Sequence, residues 1–212
     1  MTVPLIGQRP PRLVIGTPTG FMMLADTSHF IQTVYERMRS IGFTVAWGPA
    51  VGTYVEHNQN FLCQAAIDQH ADALLLIDSD MTGAFTVPER LYQRLRSGGR
   101  DILGCDYRCR AVPHFMNGKK LDGTRATGEE TGIEEYDFLP AGMLLIARRA
   151  ILGIGYPWFF NTYGEKRGDF VGNDVNFCRK AREKGFKIWC DHDLSNEVFH
   201  NIVQPLARQP QR

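Results

Sequence analysis

"ADALLLIDSDM" runs from Ala71 to Met81. Ala73 to Ile77 form an unbroken apolar run that ends on two aspartates, Asp78 and Asp80, with Ser79 between them. A strand with one face in water alternates apolar and polar residues, whereas a strand covered on both faces does not. The run therefore reads as a central strand packed on both sides, which points to an α/β protein. A strand held so firmly delivers the residues after it to a fixed place. The plain reading of Asp78-Ser79-Asp80 is a polar turn; the sharper one is a carboxylate pair aimed at one point.

The flanks agree with a sheet. "RLVIG" (Arg12 to Gly16) is a short apolar strand ending in the turn "TPTG". Thr27 or Ser28 caps a helix in which Ile31, Val34, Met38 and Ile41 recur at helical spacing, Gly42 stops it, and "FTVAW" is a second strand. A second helix is expected from about Gln59 to His70, with Phe61, Leu62, Ala65 and Ala66 facing inward. Pro88 suits the first turn of a third helix, with Leu91, Tyr92 and Leu95 on one face and Gly98-Gly99 at its end. "DILGC" is a further buried strand. Strand and helix alternating in this way predict a mostly parallel sheet flanked by helices.

From Asp106 to Asp137 the periodicity fades, and Gly, Thr, Glu and Lys dominate. This segment reads as a long excursion with a hairpin around Asn117-Gly118. Order returns in "FLPAGMLLIARRAIL", with a strand from Met143 to Ala147 and a helical turn from Arg148. "GNDVNFCRKAREKG" is a helix opened near Asn173 and closed by Gly185, and "FKIWCD" is the last strand. No repeat, low-complexity tract or interdomain linker interrupts the chain, so residues 1–212 read as one domain.

Composition narrows the function. With 212 residues and 43% hydrophobic content, the chain can bury one ordinary core. No run reaches the roughly eighteen apolar residues of a membrane helix, and "MTVPLIGQRPPR" lacks the order of a signal peptide, so a cytoplasmic protein without membrane insertion is expected. Five cysteines without a CxxC pair read as reduced thiols rather than a disulfide or zinc framework. A net charge of +1 supplies no general attraction to nucleic acid. "RKAREKGFK", Arg179 to Lys187, is locally basic and reads as a solvated helix face.

Ligands of open α/β sheets bind beyond the C-terminal ends of the strands, which puts "TPTG" and "DSD" on one edge. Neither a GxGxxG dinucleotide fingerprint nor a GxxxxGK[ST] phosphate loop is present, which argues against both chemistries. Two carboxylates one residue apart suit a hard cation: one binds it directly, the other through water or by holding a ribose hydroxyl. Such an ion neutralises a diphosphate leaving group.

Two blocks extend this reading. The segment "HNQNFLCQAAIDQHADALLLIDSDM" resembles the region around the DxD motif of GT-A-type glycosyltransferases, especially the small, family 2-like enzymes of phages and bacteria. Asn60 falls at the asparagine of an alanine-arginine-asparagine helix start, Ala71-Asp72 at the "AD" pair and Asp78-Ser79-Asp80 at the DxD. Gln59 stands where the arginine is usual. The second block, "PAGMLLIARRAI" followed by "FVGNDVNFCRKAREKGFKIWCDHDLSNEVFH", matches the acidic helix start and terminal histidine of the same enzymes. Asp174 takes the second place of their "ED" pair, Asn173 replaces its glutamate, and His200 stands at the histidine. The resemblance runs from "GTPTG" to His200.

It implies a GT-A, Rossmann-like fold with a nucleotide-sugar-binding half over about residues 12–105 and an acceptor-side half over about residues 106–205. Thr17, Pro18 and Thr19 would lie near the base and ribose, joined by Asn60, Asp78 and Ser79 in nucleotide-sugar binding. Asp78, Asp80 and His200 would serve Mn²⁺ or Mg²⁺, imidazole favouring Mn²⁺ over Ca²⁺. Asp174, at a helix start whose dipole favours its ionised form, would be the catalytic base or orient a substrate. Trp158 and Asn173 are candidates to face the acceptor; by residue type Trp158, Phe159 and Tyr163 either stack on a sugar or base or serve as core and loop anchors. Asp106, Arg108 and His114 come after the fourth strand on the same edge, within reach of donor phosphate; His192 and Asp193 read as turn residues. The implied donor is a nucleotide diphosphate sugar, a UDP-sugar first. The acceptor is a hydroxyl on a saccharide, lipid, protein or modified DNA base. Two rivals remain. A nucleotidyltransferase making nucleotide sugars would need a glycine- and arginine-rich loop that "GTPTGFMMLAD" lacks. A non-catalytic nucleotide-sugar-binding module is favoured by the changes at Gln59 and Asn173.

Overall fold

The computed structural model describes residues 9–20, 22–110, 114–164 and 168–201. Its first part contains β1 (Arg12–Thr19), α1 (Ala25–Ser40), β2 (Thr44–Val51), α2 (Val55–Asp68), β3 (Ala73–Ile77), β4 (Met81–Gly83), α3 (Val87–Ser97) and β5 (Ile102–Gly104). Next come β6 (Lys119–Lys120), β7 (Ile133–Phe138), β8 (Met143–Ala147), α4 (Arg148–Ile154), β9 (Thr162–Tyr163) and β10 (Phe170–Val171). The chain closes with α5 (Asn173–Glu183), β11 (Ile188–Asp191), α6 (His192–Ser195) and β12 (Val198–His200).

An eight-stranded sheet in the order β2-β1-β3-β8-β5-β11-β7-β6 carries the structure. The alternation of strands and helices holds, but the sheet is mixed. β1 is parallel to β2 and β3, and β11 to β5, whereas β8 runs antiparallel between β3 and β5 and β7 runs antiparallel to β11. This reversal has a consequence at the cleft. It puts the loop entering β8 beside the C-terminal end of β3, so Ile77 pairs with Met143 and Asp78 N–H donates to Gly142 O at 3.1 Å.

The apolar run of β3 is buried on both faces. Leu74 and Leu76 pack towards α2, α4 and α5, while Ala73, Leu75 and Ile77 pack towards α1 and α3. All five are at most 1% exposed. Burying each leucine is worth roughly 1.5–3 kcal/mol, which is why this strand tolerates no polar face. Behind it, Phe159 and Phe177 stack with centroids 4.4 Å apart and knit α5 to the layer.

Several local expectations change. α1 begins at Leu24–Ala25 without a side-chain cap, and Thr27 is buried inside it. Leu24 N–H donates instead to Ser79 O, tying the helix start to the aspartate turn. α2 starts at Val55 and turns Phe61 outward, 65% exposed, because Leu62, Cys63 and Ala66 occupy the buried stripe. Ile41 also lies outward, at the end of α1. The five cysteines are all buried.

The excursion is more ordered than its composition indicates. Asn117-Gly118 is not a hairpin turn; the chain closes earlier through a bridge between Arg108 and Met116. β7 lines the sheet next to β11, with only Tyr136 fully buried, and its charged residues meet cross-strand partners such as Lys187 with Glu135. "FKIWCD" is not the last strand either. β12 pairs antiparallel with β4 in a separate ribbon, with His200 opposite Met81. Among the described residues no helix is long and apolar enough to cross a membrane.

Candidate active site

A cleft of about 390 Å³ opens at the C-terminal edge of the sheet, with Pro18, Thr19, Asp78, Asp80, Asp174 and His200 in its wall. Six chain segments converge there. The end of β1 and the end of β2 are joined by Asn58, whose amide donates to Thr19 O at 2.9 Å and Gly52 O at 3.2 Å. The aspartate turn lies directly after β3. The β4–β12 ribbon adds His200 beside that turn, and Asn201 N–H donates to Asp80 O at 2.8 Å. The loop entering β8 then meets the start of α5, where Ala141 N–H donates to Asp174 Oδ2 at 3.2 Å.

Asp78 and Asp174 thus flank the Ala141-Gly142 peptide. Each has one carboxylate oxygen, Oδ1, buried without a hydrogen-bond partner among the described residues. Burial raises Asp78 to about 7, with the neighbouring Asp174 carboxylate pushing the same way. Asp174 is raised by burial as well, against hydrogen bonds from Ala141 N–H and Gln59. The helix dipole expected to favour its ionised form is therefore outweighed by desolvation. Gly142 is required by space: a Cβ there would lie 2.2 Å from Tyr107 Oη and 2.9 Å from Asp78 Oδ2. Tyr107 Oη accepts from Gly142 N–H at 3.0 Å and so braces the peptide between the two carboxylates.

On the other wall, His200 Nδ1 lies 3.0 Å from Arg108 O. A carbonyl only accepts, so this nitrogen carries the proton and Nε2 keeps its lone pair. Burial lowers the His200 pKa, which favours the neutral ring. Its Nε2 is 3.6 Å from Asp80 Oδ2, a carboxylate–imidazole pair facing one point. A histidine oriented by a backbone carbonyl is the usual arrangement of a metal ligand. Among the described residues no three His, Cys, Asp or Glu side chains form a metal cluster, so Asp80 and His200 are the pair present. Such a donor set fits Mn²⁺ or Mg²⁺, which often take only one or two protein ligands and complete their shell with water and phosphate oxygens.

The other expected residues divide. Pro18, Thr19, Asp78, Ser79, Asp80, Asp174 and His200 reach the cleft, while Thr17 is wholly buried behind it. Asn60 does not reach it: its side chain donates to Phe159 O at 2.7 Å and accepts from Trp158 and Phe159 N–H. That clamp holds the segment before β9, a structural role. Trp158 is only 3% exposed and donates Nε1–H to Ile151 O at 2.7 Å, so it is a core residue and cannot stack on an acceptor. Phe159 is buried too, while Tyr163 is 79% exposed beside Phe170.

Asn173 donates to Gln59 Oε1, and Gln59 is itself hydrogen-bonded to Asp174. The two positions where the sequence departs from the resembled pattern therefore touch, and together they hold the cleft carboxylate. Asp106 is wholly buried and accepts from Tyr107 and Gly118 N–H at 2.8 and 2.7 Å. It anchors a loop rather than meeting a ligand. His114 bonds the Cys109 backbone on the far side of that loop. His192 is a buried residue of α6, bonded to Glu134 at 2.9 Å, rather than part of an open turn. Sequence reasoning missed Tyr107, Asn58 and Arg110. The last lies two residues past Arg108, which the Arg108–Met116 bridge commits to the neighbouring loop.

No family model matches the sequence, and no curated protein matches it. Among solved structures, A197 from STIV superposes with a TM-score of 0.61 at 14% identity, covering 91% of this chain and 86% of that one. At that identity the likeness is one of fold.

Proposed function

We propose that this protein is a GT-A-type glycosyltransferase that moves a sugar from a nucleotide diphosphate sugar to a hydroxyl acceptor with the help of Mn²⁺ or Mg²⁺. The observation that carries the reading is the convergence of Asp78, Asp80, Asp174 and His200 on one cleft at the strand ends. The donor's nucleoside part lies along Pro18 and Thr19, with Asn58 keeping that wall in place, and its diphosphate extends towards Asp80 and His200. When bound there, the ion neutralises charge that develops on the diphosphate as the glycosidic bond breaks. Asp174 faces the reacting sugar and takes the proton of the acceptor hydroxyl as its oxygen bonds the anomeric carbon. A carboxylate raised above its usual range by burial is a better base at neutral pH than an exposed one. The Gln59–Asn173 pair keeps its orientation.

The test is release of nucleoside diphosphate from UDP-, GDP- and CDP-sugars, with Mn²⁺ and with Mg²⁺. Slow, metal-dependent release with one donor is expected, together with its loss in Asp80→Ala. Release of pyrophosphate from a sugar 1-phosphate and a nucleoside triphosphate would identify a nucleotidyltransferase instead. Binding of a nucleotide sugar without either product would identify a non-catalytic module.

A further inference from the structure

Arg110 closes the point on which Asp80 and His200 converge. Its Nε–H donates to His200 Nε2 at 3.0 Å, and its terminal nitrogen pairs with Asp80 Oδ2. These are the Asp80 and His200 atoms that face one another across that point, so a guanidinium and an ion exclude each other there. Among the described residues no other hydrogen bond or ion pair holds the arginine head, and the side chain is 51% exposed. The chain leading to it is better held. Asp106 pins the start of the loop from inside the core, and the Arg108–Met116 bridge closes it. A guanidinium released from Asp80 therefore stays at the cleft.

Chemistry decides the partner it meets there. The cleft wall holds three carboxylates and the neutral His200 ring, and Arg110 is its one cationic side chain among the described residues. A guanidinium keeps its charge at any ordinary pH, and its planar fork matches phosphate oxygens. Given the proposed function, on which this inference rests, the donor supplies two phosphates beside the ion.

We propose that Arg110 is a positioning residue that occupies the cation point of the empty cleft and transfers to the donor diphosphate when a divalent ion takes Asp80 and His200. Ion and nucleotide are then coupled. The ion frees the arginine for phosphate, and phosphate draws the arginine away from the ion's ligands. By linkage each raises the affinity of the other by the same factor.

The coupling gives Arg110→Ala effects of opposite sign. Mn²⁺ alone, titrated by the electron paramagnetic resonance signal of the free ion, binds the variant about tenfold more tightly than the wild type. At saturating Mn²⁺, whichever of UDP, GDP and CDP binds the wild type binds the variant about tenfold more weakly. The side chain is half-exposed, and Arg110→Gln repeats the measurement with a longer stem. Unchanged or weaker Mn²⁺ binding in both variants overturns the inference while leaving the proposed function standing, provided the wild type binds Mn²⁺ and nucleotide. A wild type that binds no Mn²⁺ under any of these conditions overturns the inference and the metal-dependent reading together.

Discussion

At the β7–β11 end of the sheet, Asp191 is wholly buried, yet both its oxygens meet Arg94, at 2.6 and 2.8 Å, and one also caps α6 through Leu194 N–H. Next to it, Asp193 accepts from Gly132 N–H at 2.9 Å and from Arg94, and these hydrogen bonds hold it below its ordinary range. At the cleft, Asp78 and Asp174 are half-buried, each with one buried carboxylate oxygen that meets no donor among the described residues, and the desolvation of that oxygen holds both above it. The same side chain thus serves two ends. Where donors are supplied, an acid fastens elements together; where they are withheld, it costs stability and remains available to a ligand or a proton.

Substitution should separate the two sets. Asp174→Asn is expected to lower sugar transfer by about 10²–10⁴-fold while the thermal midpoint does not fall, because a buried charge has been removed. Full transfer by that variant would strip Asp174 of its role as the base. Arg94→Ala should do the reverse. It strands the buried Asp191 and costs about 3 kcal/mol in urea unfolding, with nucleotide binding by the folded protein preserved. If the loss is only a few tenths, the pair is no fastener and the contrast collapses.

The smallest effect is on pH. Asp78 has a folded pKa of about 7, above its unfolded value, so its contribution is fully present below about pH 4 and disappears as the pH rises through 7. Between pH 6 and pH 8 the unfolded carboxyl is ionised throughout, and the folded protein should lose on the order of 1 kcal/mol from this group. Denaturant midpoints measured in a chelator would show it, and Asp78→Asn should reduce the slope, leaving the part that Asp174 contributes. A midpoint rising over that interval contradicts the burial argument.

Much of the first half was legible because its signals are local. The apolar run from Ala73 to Ile77, the helical stripe of Ile31, Val34 and Met38, and Pro88 at the start of α3 each declare an element without reference to the rest of the chain. β7 was illegible for the opposite reason. "IEEYDF" buries one residue fully and satisfies its acids through Lys187, Arg182 and His192, all far along the sequence. Asn60 and Trp158 show the same limit within the site. Their residue types suit ligand binding, but an amide that clamps three backbone groups and an indole sealed in the core are spent before any ligand arrives.

By itself the sequence determined that a strand buried on both faces ends in Asp78 and Asp80, because an unbroken apolar run leaves no polar face. It also determined that Asp174 opens a helix, since Gly172 and Gly185 bracket that element. Only the tertiary structure decided what stands opposite them. The antiparallel insertion of β8 carries Gly142 and, through Ala141, Asp174 to the end of β3; the β4–β12 ribbon carries His200 to Asp80; and the loop anchored by Asp106 carries Arg110 between them. The reason is one of range. Burial and helix punctuation are written over a few neighbouring residues, whereas these meetings depend on strand order and direction, which pairings across the whole chain settle together.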